Sequence, residues 1–171
     1  MLSWLESTSL SVWLQESPSL LALPTILTLH TAGMAVLVGT SWMLDLRLLG
    51  VGRNVPLSAY RWVFPTLAVG LFVNLVTGVL LFIKNPTHWG TALPFLVKML
   101  LVVASVATLV PDRSLILRSD AAQRPSTVAR GVPSSVEGRD VSSNVRLLAI
   151  ASILAWTGAV TAGRLLAYLV P

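Results

Sequence analysis

The stretch "LTLHTAGMAVLVG", residues 27–39, sits inside a run from Leu20 to Leu44 that carries no full charge. A membrane-spanning helix needs roughly 20 mostly apolar residues, and this run meets that length. Its one ionisable side chain is His30. Ionisable groups at such depth are rare and face a bundle interior or a cavity. The imidazole therefore marks both a span and the inner face of that span.

The rest of the chain agrees with a membrane class. Of 171 residues, 54% are hydrophobic and only 11% charged, and the mean hydropathy is +0.78. Soluble domains average about a quarter charged residues. The absence of cysteine excludes disulfides, thiolate metal sites and a cysteine nucleophile. With two histidines, His30 and His88, a multi-histidine metal centre within one chain is not expected. No phosphate-binding glycine loop or serine–histidine–acid set is present, so nucleotide and hydrolase chemistry have no support. The formal charge of +5 does not signal nucleic acid, because the arginines are spread over loops beside apolar segments, as topology determinants are.

Four segments are long enough to span: about 20–43, 62–83, 91–110 and 147–170. The expected fold is all-α, an integral membrane four-helix bundle in a single transmembrane domain, 1–171. It is preceded by an N-terminal interfacial amphipathic helix or helix pair at 2–17, with Leu10, Trp13 and Leu14 on one face and Trp4 and Trp13 as anchors. Residues 111–145 are rich in Ser, Arg, Pro and Gly and read as a flexible cytoplasmic loop with a short amphipathic start at "RSLILR", 113–118, serving as a tether or a docking site for a partner or anionic lipid.

Charge sets the orientation. Arg47, Arg53 and Arg61 flank the loop after the first span, and Arg113, Arg118, Arg124, Arg130, Arg139 and Arg146 lie after the third. The opposite side has Lys84 in its inter-span loop. The positive-inside rule places both termini outside, which is periplasmic for a bacterial inner membrane.

At a rise of about 1.5 Å per residue, His30 lies roughly 15 Å in, Lys98 about 10 Å and Arg164 roughly 9 Å from the outer surface. Asn74 falls slightly above the middle of the second span. Each span thus carries one strongly polar residue in its outer half. Gly70, Asn74 and Gly78 recur every four positions beside Thr77, a stripe where another backbone or a flat ligand comes close. In the first span Ile26, His30, Gly33, Leu37 and Thr40 share a face, with Met34 alongside. In the third Pro94, Lys98, Leu101 and Ser105 do, and in the fourth Thr157, Thr161 and Arg164 do.

The predicted pocket is cationic and holds no acid at its own depth. A ligand with carboxylates would balance it, and b-type haem offers an iron for His30 and propionates for Lys98 and Arg164. Lys98 is alternatively a sixth contact to that iron. Gly33 and Gly70 would leave room for the macrocycle. Simpler roles stand beside these: His30 and Asn74 as interhelical hydrogen-bond partners, and Lys98 and Arg164 reaching up to the headgroups.

"LHTAGMAVLVG" resembles the first-span pattern of the CopD and HemJ type of bacterial membrane proteins, and "PFLVKMLLVV" resembles a later HemJ helix that carries a lysine. That resemblance implies haem binding through His30 and Lys98. The chain as a whole is similar to a bacterial four-helix integral membrane family of unknown function. The shared features are Trp4-Leu5-Glu6, Pro24 to Thr31, Asp45 to Gly50, Phe64-Pro65 and Phe95 to Lys98, and they imply a fold more than a chemistry.

The functional expectation is a haem-binding redox or haem-handling membrane protein. Its alternatives are a non-catalytic accessory subunit of a larger membrane complex, and copper or small-solute transport. The expected partners are the lipid bilayer and a membrane-protein partner or a second copy, with no nucleic acid.

Overall fold

The computed structural model describes residues 3–19, 21–52, 54–123 and 143–169. Every regular element among them is a helix: α1 Ser3–Glu6, α2 Ser9–Glu16, α3 Leu23–Leu49, a 3-10 helix Leu57–Trp62, α4 Val63–Lys84, α5 Pro86–Trp89, α6 Leu93–Gln123 and α7 Ser143–Leu169. Three helical stretches, Leu23–Leu49, Leu57–Lys84 and Ser143–Leu166, are long and apolar enough to cross a membrane. The apolar part of α6, Leu93–Leu109, is shorter.

Local chemistry sets the ends of these elements. Pro24 occupies the first turn of α3, where a missing N–H costs nothing. At the other end Gly50 takes a φ of 108°, and its N–H and that of Val51 return to carbonyls of the last turn, Val51 N to Leu46 O at 2.9 Å. This left-handed stop is open to glycine and strained for other residues. The helix α6 runs on to Gln123, so residues 111–123, expected in a loop, continue the helix in their backbone. Leucine, arginine and alanine, all good helix formers, populate that stretch. Of the remainder of the expected loop, 124–142 lies outside the described residues and 143–145 begin α7.

The helix α3 packs along α4 and on α7, and α6 packs along α7. Helices α4 and α6 have no comparable interface, so the four long helices form a ring closed on three sides. The tightest contact is between α3 and α4. A Cβ added at Gly70 would stand 3.1 Å from Leu37 N and 3.3 Å from Gly33 O, and one at Gly33 would stand 3.0 Å from a methyl of Val73. Glycine at both positions lets two backbones touch. Gly33 and Gly70, expected to make room for a macrocycle, are used up in this contact.

The main core lies toward the end away from α1 and α2, around Leu37, Leu44, Leu48, Val63, Leu67, Ala149 and Trp156. Trp156 is fully buried and donates from Nε1 to Ser41 Oγ at 2.9 Å, joining α7 to α3. Asp45 is also fully buried here.

The N-terminal segment forms two short helices, with Thr8 capping α2 through its hydroxyl. Leu10, Trp13 and Leu14 do not share one environment. Leu14 and Ser11 are buried, whereas Leu10 and Trp13 are 45% and 46% exposed. The reason is polar: Ser11 Oγ donates to Ile83 O at 3.0 Å, and Gln15 Nε2 donates to Lys84 O at 2.8 Å. These carbonyls end α4 and have no partner within their own helix. Glu6 accepts from Thr87 N at 3.2 Å and from the Thr87 hydroxyl, capping α5. Leu14 completes the seal against Ile26 and Leu81. Trp4 and Trp13 stay exposed.

Gly70→Val tests the close contact of α3 and α4. The added methyl groups meet backbone atoms that cannot rotate away, so the variant is expected to lose about 1–3 kcal/mol of stability, read as a lowered midpoint in detergent unfolding. Gly39→Ala, with nothing near its added Cβ, serves as the control and is expected to show no loss.

Candidate functional site

The side where α4 and α6 stay apart holds a cavity of about 290 Å³. Residues of α3, α4, α5, α6 and α7 line it, and the lining is almost wholly apolar apart from His30, Asn74 and Lys98. Leu75, Val79 and Met99 belong to the lining and are 63%, 50% and 39% exposed. The cavity is therefore a cleft that opens sideways between α4 and α6. Toward the end capped by α1 and α2 it is narrowed by Trp89 and by Phe82 and Phe95, whose rings stack at 5.3 Å across the α4–α6 gap.

The polar groups on its walls are held from α3, α4 and α6. His30 Nδ1 lies 2.9 Å from Thr77 Oγ1. One turn earlier on α4, Asn74 Nδ2 donates to His30 O at 3.0 Å. A Cβ at Gly78 would stand 3.4 Å from His30 Cε1, so that glycine lets the edge of the imidazole come close to α4. The other ring nitrogen, Nε2, has no hydrogen-bond partner among the described residues. On the opposite wall, Lys98 runs beside Gly163 of α7, with Cδ, Cε and Nζ each 3.6 Å from the place a Cβ would take. Among the described residues Lys98 has no hydrogen bond and no acidic partner. The arrangement presents one imidazole nitrogen and one amine to an apolar cleft. It can hold a largely apolar ligand by two polar points.

Of the residues singled out from the sequence, the structure brings His30, Asn74 and Lys98 together on this cleft. Gly33 and Gly70 sit in the α3–α4 contact instead. Arg164 is exposed and does not line the cleft. The face proposed for it was wrong: Thr157 and Thr161 are exposed too, and α7 turns Ala149, Ser152, Trp156, Ala159 and Ala162 inward. Their hydroxyls explain this, since Thr157 donates to Ile153 O at 2.7 Å and Thr161 to Thr157 O at 2.9 Å. A threonine satisfied by its own helix can face an apolar medium. Trp156 and Gly163, which shape the far wall, were missed. The alanines that flank Trp156 were the available signal, because small residues mark the packed face of a membrane helix. His88 is exposed on α5. Among the described residues no three His, Asp or Glu side chains gather as a metal-ion cage.

Comparison of the chain with protein-family models, with curated proteins and with solved structures gave no match.

Asn74→Leu removes the bond to His30 O while keeping the side-chain volume. Interhelical bonds of this kind average about 0.6 kcal/mol. The expected outcome is a stability loss of that order in detergent unfolding, well below the loss for Gly70→Val.

Proposed function

We propose that this chain is a bacterial inner-membrane protein with four spans, formed by α3, α4, the apolar part of α6 and α7. Its cleft between α4 and α6 binds an apolar ligand that arrives through the lipid. The observation that carries this reading is the pairing of His30 and Lys98 in a cleft whose open side is lined by exposed Leu75, Val79 and Met99. At the depth of a span, that open side faces acyl chains. A lysine there without an acid costs free energy, and an anionic group on the ligand offsets the cost.

We infer b-type haem as that ligand. The donor chemistry fits: His30 keeps Nε2 for an iron while Nδ1 is held by Thr77, and Lys98 is placed to meet a propionate. Bound haem would supply one-electron redox chemistry. The fit rests on His30 and Lys98, since Arg164 is exposed away from the cleft and Gly33 and Gly70 pack α3 against α4. The cavity lies at the lower end of ligand pockets, roughly 300–1,000 Å³, and its open edge lets part of a ligand project between α4 and α6. The two bonds from α4 to His30 favour a second reading, in which His30 and Asn74 tie helices together in an accessory subunit of a membrane complex.

One comparison separates the two. Under the haem reading, protein purified in detergent shows a reduced-minus-oxidised haem spectrum that His30→Ala abolishes. Colourless wild type that also fails to take up added hemin overturns it and leaves the accessory reading, which expects a specific membrane protein to co-purify.

Orientation is separately testable, because the chain has no cysteine of its own. With both termini outside, Ser9→Cys reacts with a membrane-impermeant maleimide on spheroplasts. Asn54→Cys reacts only after permeabilisation. The reverse pattern would invert the topology.

A further inference from the structure

We propose that Thr77 is a positioning residue that fixes which nitrogen of His30 carries the proton, and thereby selects the kind of atom the cleft accepts. This rests on the reading of the cleft as a ligand site. Three distances carry it. Thr77 Oγ1 lies 2.6 Å from Val73 O, 3.3 Å from Asn74 O and 2.9 Å from His30 Nδ1. Two oxygens at 2.6 Å repel unless a proton lies between them, and this separation is at the short end of the O–H···O range. The hydroxyl proton of Thr77 is therefore given to the carbonyl one turn back. Its lone pair is what remains for His30, at the usual distance of an N–H···O bond.

A neutral imidazole has one N–H and one bare nitrogen. With Nδ1–H donating to Thr77, Nε2 holds the lone pair. His30 then meets the ligand as an electron-pair donor, while Lys98 across the cleft meets it as a hydrogen-bond donor. The two walls are complementary in kind and select a ligand with unlike ends. It must offer a metal centre or an acidic O–H or N–H to His30, and an anion or carbonyl oxygen to Lys98. A molecule with acceptors at both ends, such as an oxidised quinone, is disfavoured at His30.

Thr77 is nearly fully buried on α4, and it is the one described side chain that hydrogen-bonds to the His30 ring. The other hydrogen bond to the ring comes from the Asn74 backbone, on the same turn of α4. Partners behind a metal-ligating histidine set its ring orientation and its basicity, and their loss costs roughly 10–100-fold in affinity.

The test reads the ring nitrogens of ligand-free protein by 15N NMR in a His88→Asn background, so that His30 is the one histidine observed. The expected result is a neutral ring with the proton on Nδ1. Thr77→Ser is expected to keep that state, and Thr77→Val to shift the population toward the Nε2–H form. In parallel, hemin affinity is expected to fall about 10–100-fold for Thr77→Val and to recover in Thr77→Ser. A proton on Nε2 in the unsubstituted site overturns the proposal without need of any variant, as does an unchanged tautomer in a folded Thr77→Val. Because the NMR arm contains no ligand, absence of hemin binding would sink the haem reading and leave the tautomer result standing.

Discussion

The close approach of α3 and α4 is the constraint from which the site follows. Gly70 lies against the backbone of Gly33 to Leu37, and this contact fixes the register of the two helices. With that register set, the next turns of α4 bring Asn74 to the His30 carbonyl, Thr77 to the His30 ring and Gly78 beneath its edge. In a medium without water, polar groups must find partners within the protein. One helix face of α4 thus satisfies both the backbone and the side chain of the one histidine in α3. The imidazole that opened the sequence as an anomaly is held by small and polar residues spaced four apart.

The second consequence comes from the missing fourth interface. A ring of four helices closed on all sides would bury a solid core. Here the tryptophan of α7, bonded to Ser41, fills the end remote from the N-terminal helices. The half near His30 stays hollow, because α4 and α6 hold aromatic rings and a lysine between them instead of small residues. Close packing of membrane helices depends on small side chains. The α3–α4 and α6–α7 pairs have glycines at the contact, at Gly33, Gly70, Gly158 and Gly163. Where α4 faces α6 the lining is Leu75, Val79, Phe82, Phe95 and Met99.

Much of this was legible in the sequence. Apolar length gave the long helices, and the four-residue spacing from Gly70 to Gly78 identified the working face of α4. Depth put His30 and Lys98 in the same half of the bundle, and helical spacing put each on an inner face. On α7 the reading failed for one physical reason: polar residues were read as pointing inward. Thr157 and Thr161 bond to their own helix, so their polarity carries no direction. Arg164 on the same face went with them. Conversely, Ser11, which carried no signal in the sequence, is a docking contact. The carbonyl it serves lies far along the chain, at Ile83, and no local pattern reveals such a partner.

That long reach has a consequence for the placement of the N-terminal helices. The first helices of the chain are bonded to Ile83, Lys84 and Thr87, with sequence separations of 72, 69 and 81 residues. Those contacts exist only where α4 has already ended in place, because its last carbonyls and Thr87 are what α1 and α2 bond to. The two short helices therefore borrow their position from α4, and a disturbance at its end reaches them directly.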